Sequence, residues 1–334
     1  MLRNMNPFSI VRIALFAAFT VFLILHQHLA SSTTAFAILV YLGLFFGVVA
    51  TNGFDLYSNE DSVVHSEQST RIMKELEMAK RVQEGLLAVE TPALDQIRIV
   101  KKCIPADSVG GDFYTFVDKE FDSLSQQRPS IPGVIQYVDK RESYLGIIVG
   151  DVAGHGVSSA LVMALSSGLL GEIGRAHRSP GAVLSEANNH ILNYIQNSQI
   201  AYVTAFYAMI NLDNKRLIFS KAGHPAAILL HPDRSHELLE ADGVFLGMFE
   251  NETFEEKEVQ LNSGDRIVLY TDGITETRNR AGELFGMDRL LGLLRKSGAF
   301  TIEQVLKFIL EELDVFAEGL SPADDQTLVI VEVV

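Results

Sequence analysis

The sequence of 334 residues holds a single cysteine, Cys103, which excludes an intrachain disulfide and favours a reducing compartment. Its neighbours supply no base to activate a thiolate, so it reads as a small core hydrophobe. Positive charge is scarce. Lys and Arg number 27 against 42 Asp and Glu, a net charge of -15. No dense basic run occurs, which excludes a nucleic-acid surface, because a phosphate backbone requires clustered cations. An acidic substrate would then need help from a metal. Proline is missing from Asn59 to Pro92, and no internal repeat is visible.

Two stretches lack charge altogether, Ile13 to Leu25 and Ala35 to Ala50, separated by a short polar gap from His26 to Thr34. Each is slightly shorter than the roughly 20 residues of a spanning helix, and neutral neighbours such as Leu29 and Thr51 extend them. They predict a transmembrane hairpin over 1–55. Arg3 and Arg12 precede the first run and the gap is not basic, which orients the amino terminus, and after two crossings the rest of the chain, toward the cytoplasm. The expected location is therefore the inner membrane, with the rest of the chain in the cytoplasm. A cleaved signal peptide would account for Arg12, the first run and Ala30 to Ser32, but leaves the second run unexplained. A buried soluble hairpin is the other competing reading.

Beyond Asn59 the composition turns polar and helical. Ile72, Leu76, Ala79, Leu86 and Leu87 recur at three- and four-residue steps, with Glu75, Lys80 and Arg81 on other faces. This predicts a linker helix over 56–92, a candidate for coiled-coil contact and homodimerisation, in which Gln83 interrupts the apolar seam and Gly85 weakens it. A plain amphipathic helix packed on its own domain fits equally well. From 93 to 334 the chain reads as one mixed domain. Strands are predicted at Arg98–Ile104, Tyr144–Val149, Tyr202–Leu212, Arg216–Lys221, Ala226–Leu230, Arg266–Tyr270 and Thr327–Val333, with a hairpin turn at Asp213-Asn214-Lys215. Helices are predicted at Ser158–Arg175, Pro180–Asn197, Met287–Leu294 and Thr301–Phe316. Strand pairs followed by helix pairs, without strict alternation, point to an α+β layered sandwich with much antiparallel pairing.

Four acidic signatures stand at the ends of the β-rich runs: Gly110-Gly111-Asp112, Gly150-Asp151-Val152-Ala153-Gly154-His155-Gly156, Tyr270-Thr271-Asp272-Gly273 and Asp324-Asp325-Gln326-Thr327. Carboxylates fixed at neighbouring strand ends can converge although distant in sequence. Hard oxygen donors of this kind suit Mg(II) or Mn(II), and two such ions can activate one water for attack on phosphorus, so no side-chain nucleophile is required. Singly, Asp272-Gly273 reads as a turn and Asp324-Asp325 as a cap. Gly154-His155-Gly156 ahead of an apolar helix is the sharper signal. Their joint occurrence points to a metal-dependent hydrolase.

Together with Pro105 to Tyr114, Ala222-Gly223-His224-Pro225 and Leu269 to Glu276, these signatures resemble, in order, those of the bacterial SpoIIE/RsbU-type phosphatases, members of the metal-dependent superfamily related to protein phosphatase 2C. The resemblance covers roughly 75–334, including Ala79 to Leu87, which is similar to the helix preceding the domain in the family. It implies a four-layer α-β-β-α sandwich that hydrolyses phosphoserine or phosphothreonine on a protein, with two Mn(II) or Mg(II) ions. By motif, Asp112, Asp151, Asp272 and Asp324 would be metal ligands, Asp151 bridging, and Val152 would lend its carbonyl. Gly111, His155, His224 and Asp325 would support these or join them. The implied substrate is a phosphorylated signalling protein such as an anti-sigma factor antagonist, with a linker-helix shift as the regulatory input.

The sequence departs from the family pattern at Thr115, where an acidic residue is frequent, and in about twenty extra residues around Lys119 to Glu142, which predict a lengthened loop. Two further classes compete: a membrane-bound phosphoprotein scaffold without turnover, which the full aspartate set disfavours, and a phosphohydrolase of small phosphoesters, which the same chemistry would serve.

Overall fold

The computed structural model describes residues 20–21, 68–127, 136–196 and 202–334, with side chains over 68–121, 141–196 and 202–334. Nearly all of the two charge-free runs, and with them the expected membrane hairpin, lies outside the described residues. Among the described residues one helix, Val157–Ala176, is long and apolar enough to cross a membrane, but Met163 and Leu170 on it are fully buried against a sheet. The chain divides into two compact units, Met1–Glu75 and Leu76–Val334. Of the first, residues 68–75 are helical, with Arg71 Nε donating to Glu75 Oε1 at 3.1 Å.

The second unit carries ten strands. One sheet has the order β1 (Ile97–Ile104), β10 (Gln326–Val333), β9 (Arg266–Tyr270), β6 (Ala227–Leu230), β7 (His236–Leu239); the other has β2 (Phe113–Gln127), β3 (Gln136–Val152), β4 (Val203–Asn211), β5 (Arg216–Ala222), β8 (Lys257–Gln260). All ladders are antiparallel. The helices are α1 (68–87), α2 (Val157–Ala176), α3 (Pro180–Ile195), α4 (Asp272–Thr275), α5 (Gly286–Lys296) and α6 (Ile302–Ala317).

Strand alternation builds the layers. Along β4, Phe206, Ala208 and Ile210 face the opposite sheet, while Val203, Ala205, Tyr207 and Met209 face α2 and α3. Along β9, Ile267 and Leu269 point inward, and Val268 and Tyr270 meet α5 and α6. Three apolar layers result, one between the sheets and one beneath each helix pair, so the expected α-β-β-α sandwich is what forms. Central strands buried on both faces are unbroken apolar runs, which is why Tyr202–Leu212 reads so plainly. Truncating a fully buried residue such as Ile147 to alanine would cost about 2–5 kcal/mol.

Helix ends follow local chemistry. Ser179 caps α3 by accepting from Ala182 N, ahead of Pro180 at the first position, and Thr301 with Gln304 forms a reciprocal capping box on α6. Asn211 Oδ1 accepts from Asp213 and Asn214 N in the expected hairpin turn, where Lys215 takes a positive φ of 57°.

Four expectations require correction. Strand β2 was absent from the expected set because its aromatic start follows the Gly-Gly-Asp motif directly; β7 and β8 are four-residue strands too short to signal themselves. The expected loop around Lys119 to Glu142 is mostly a long hairpin, pairing Lys119 with Tyr144 and Gln127 with Gln136. Lys119 is buried there, its Nζ donating to the carbonyls of Gly174 and His177, so it neutralises the carbonyl end of α2. Finally, Gln83 does not interrupt the buried face of α1: at 5% exposure it is the most buried residue of that helix, and Leu86 points outward.

Candidate metal centre

The register Phe113↔Gly150 sets Asp112, just before β2, opposite Asp151 near the end of β3. In the other sheet, Leu328↔Tyr270 brings Asp272, just past β9, beside Asp324 and Asp325, just before β10. Each sheet thus delivers carboxylates from the ends of two adjacent antiparallel strands. Thr271 joins the sheets. Its Oγ1 donates to Asp112 Oδ2 at 2.7 Å and accepts from Thr327 N at 2.9 Å.

Asp325 works on the backbone. Oδ2 accepts from Gly111 N at 2.6 Å and Asp112 N at 3.3 Å, and Oδ1 accepts from Ala106 N at 2.8 Å. With its oxygens engaged in this way it shapes the 106–112 loop and presents Asp112. Glycines make the approach possible. A Cβ at Gly110 would overlap the Asp325 carboxylate, and one at Gly273 would overlap the Asp325 carbonyl. At Gly111 a Cβ would stand 2.7 Å from Val152 O and 3.1 Å from Asp151 Oδ1, so the Val152 carbonyl and the Asp151 carboxylate flank one bare backbone position.

Crowded acids perturb one another. Burial, reinforced by Asp151, holds the Asp112 carboxyl well above the usual carboxylate range. Burial and then Asp272, Asp324 and Asp325 push Asp151 up to about 7, opposed by a hydrogen bond from Asp112. Asp272 is raised by burial and by Glu276, and Asp324 by burial and by its acidic neighbours, Asp272 and Asp325. Asp324 Oδ1 accepts from Asp325 N at 2.8 Å, which ties Asp324 to the buried Asp325.

The histidines take different parts. His155 is 81% exposed in its side chain, lies 3.4 Å from Asp107 and is near enough to Asp324 to lower that carboxyl slightly against its acidic neighbours. His224 is buried in the crossover from β5 to β6. Its Nδ1 meets Thr204 Oγ1 at 2.8 Å, and that hydroxyl reaches the Asp151 carbonyl at 3.4 Å. Nε2 closes no hydrogen bond of normal length, although the Tyr270 carbonyl is near enough to favour its protonation; burial dominates and lowers the imidazole to about 3. His224 is therefore a neutral group that braces the Asp151 strand end through Thr204. Cys103 is half-buried, its thiol pushed up to about 12 by burial and then Asp112, which keeps it inert.

Whether these donors fit two divalent ions follows from their chemistry. Among the described residues no three His, Cys, Asp or Glu side chains converge on a point that would hold one ion unaided. The carboxylates of Asp112, Asp151, Asp272 and Asp324 form one repelling group, in which Asp151 is pressed by Asp272 and Asp324 and hydrogen-bonded by Asp112, with the Val152 carbonyl beside the same glycine. Oxygen-only donors of this kind suit Mg(II) or Mn(II), which retain several waters, and the mutual repulsion of the acids is what such cations relieve. The residues fit the group.

Several participants were not read from the sequence. Thr271 lies inside the Tyr270-Thr271-Asp272-Gly273 motif, and a hydroxyl immediately before the acid was the available signal. Thr204 gave none, and Gln83 showed only as a polar break in the apolar seam of α1. Gln83 Nε2 donates to Gly110 O at 2.7 Å and Gly110 N donates back to Gln83 Oε1 at 3.0 Å, which ties α1 to the loop bearing Gly111 and Asp112.

Residues 141–334, more than half of the chain, match the family model described as Stage II sporulation protein E (SpoIIE). Phosphoserine phosphatase RsbU of Bacillus subtilis is 26% identical over 292 residues, 87% of this chain and 79% of that protein. Phosphoserine phosphatase RsbP of the same organism is 28% identical over 262 residues, 78% of this chain but 58% of RsbP. Among solved structures, the SiaA-PP2C domain of Pseudomonas aeruginosa superposes with a TM-score of 0.60 at 19% identity, covering 80% of this chain and 98% of that domain, a likeness of fold.

Proposed function

Because the chain belongs to the SpoIIE family, we propose that it is a protein serine phosphatase whose Asp112, Asp151, Asp272 and Asp324, with the Val152 carbonyl, hold two Mn(II) or Mg(II) ions. The observation that carries this reading is the meeting of carboxylates from two sheets, joined by Thr271 Oγ1 donating to Asp112 at 2.7 Å. When bound, the ions would supply charge neutralisation for the phosphate and a nucleophilic water at neutral pH. Asp151, central to the charge cluster, is the proposed bridge between the two ion positions. Asp325 keeps the Gly110–Asp112 backbone fixed by accepting its N–H groups, and the neutral His224, through Thr204, braces the Asp151 strand end. Gly111 lets the Val152 carbonyl and the Asp151 carboxylate close on the Asp112 loop, where a Cβ would crowd both.

The proposed substrate is a phosphoserine or phosphothreonine on a signalling protein, of the anti-sigma factor antagonist kind that the resemblance implies. We further propose anchoring in the cytoplasmic membrane through the charge-free runs near the amino terminus, and dimerisation through α1. Met78, Val82 and Leu86 support the latter: they recur every fourth residue and stay 60%, 65% and 45% exposed.

A phosphoserine-peptide assay with and without Mn(II), comparing wild type with Asp151→Asn and Asp272→Asn, tests the proposal. A metal-dependent rate that falls by orders of magnitude in both variants supports it. A metal-independent rate, or undiminished variants, would overturn it.

A further inference from the structure

Beside the carboxylates lies a cavity of about 360 Å³, lined by Tyr202, Thr204, Gly223, His224, Pro225 and Phe245 together with Asp151 and Asp272. Its size is at the small end of ligand sites, typically ~300–1,000 Å³. The wall is a built feature. Tyr202 and Phe245 stack with ring centroids 4.2 Å apart at 29°. Backbone bonds Val203 N to Leu246 O (3.0 Å) and Leu246 N to Val203 O (2.9 Å) pin the Phe245 segment along the start of β4. Gly223, at a φ of 62° and donating to Gly243 O at 3.1 Å, is bare where any side chain would overlap the Phe245 ring. Substitution there would displace the wall.

We propose that this cavity receives an apolar side chain immediately adjacent to the phosphoserine of the substrate, making Tyr202 and Phe245 specificity-determining residues. The inference rests on the phosphatase reading, since the cavity shares Asp151 and Asp272 with the candidate metal centre. A phosphate held there places the next residue of its chain against the aromatic pair. Of the residues lining the cavity only those two aspartates are acidic, and both are committed as metal ligands, so no free carboxylate remains for a guanidinium or ammonium. An acidic neighbour finds no lysine or arginine among the lining residues to pair with. Flat aromatic and proline surfaces favour apolar contact instead.

The test uses the full chain with Mn(II) and synthetic phosphoserine peptides that differ only in having Leu, Gly, Glu or Arg on each side of the phosphoserine. Wild type is expected to favour Leu over Gly roughly tenfold or more in kcat/KM, with Arg and Glu below Leu. Phe245→Ala, or Phe245→Leu should the first variant not fold, brings the Leu/Gly ratio toward one. Hydrolysis of all four peptides at similar rates, a preference for Arg, or a ratio unmoved in a folded Phe245 variant overturns the cavity assignment alone. No hydrolysis of any peptide by the Mn(II)-loaded protein overturns the phosphatase reading and this inference together.

Discussion

Gln83 and Gly110 exchange two hydrogen bonds, side chain to backbone in both directions, at 2.7 and 3.0 Å. A polar side chain on the packed face of α1 thereby completes the loop that carries Gly111 and Asp112. Gln83→Leu keeps the volume but leaves a buried N–H and C=O without partners, which costs about 1–3 kcal/mol. Urea unfolding of the two proteins measures this difference. Mn(II) affinity is expected to weaken as well, since Gly110 adjoins the Asp112 loop; an unchanged affinity would show that α1 and the carboxylates are independent.

Asp325 is the second support of that loop. Asp325→Asn retains the shape but replaces an acceptor oxygen with a donor facing backbone N–H groups, so Ala106 N or Gly111 N loses its partner. The expected result is a 10–100-fold loss of Mn(II) affinity with the fold retained. Gly110→Ala, which drives a methyl into the same carboxylate, should reproduce it. Calorimetric titration with Mn(II) and far-ultraviolet dichroism together check both parts.

The acids make the metal-free protein sensitive to alkali. Asp151 is raised to about 7 and Asp112 is raised too, whereas unfolded carboxyls titrate near ~4. Between those limits the folded state binds more protons than the unfolded state, so stability falls as pH rises from about 4 to about 7. Mn(II) is expected to flatten this slope and to release protons on binding. Melting temperatures of chelator-treated protein at pH 5.5 and 8, repeated with Mn(II), give the comparison. A metal-free protein that is more stable at pH 8 contradicts the expectation.

Lys119 contributes structure far from the carboxylates. Its Nζ donates to Gly174 O at 2.8 Å and approaches Tyr207 Oη at 3.3 Å, and burial lowers its pKa to about 8. Lys119→Met leaves the last carbonyls of α2 uncapped and should destabilise the protein by about 1–3 kcal/mol at neutral pH. Because the lowered pKa means that the folded state resists protonation of this lysine, wild type gains stability as pH rises from about 8 toward ~10.5, and the variant lacks that gain. Denaturant midpoints across this range reveal the difference.

Much of the sandwich was legible because its central strands are buried on both faces. Arg266–Tyr270 emerges with the expected bounds, and β4, α2 and α5 differ from expectation by a residue or two at each end. Position along the chain also made the acids conspicuous, since each stands at the end of a β-rich run, with glycine beside Asp112, Asp151 and Asp272. What escaped was tertiary. Gln83 looks like a defect in an apolar seam until Gly110 is brought to it, and the way Asp325 supports the ligands shows only when three backbone N–H groups meet it. The paired stretches 119–127 and 136–142 are largely polar in sequence, so they lack the apolar alternation that marks a strand. Asp272-Gly273 read as a turn, yet it opens the short helix α4, because Thr271 leaves β9 extended and the chain then turns over the Asp325 carbonyl.

The central claim is that acids from two sheets hold two divalent ions. Mn(II) titration of the full chain followed by electron paramagnetic resonance measures it directly. The expected outcome is two ions per chain in wild type, with spin coupling between them, and loss of that coupling in Asp151→Asn. Absence of Mn(II) binding, or coupled ions that persist unchanged in Asp151→Asn, would contradict the account.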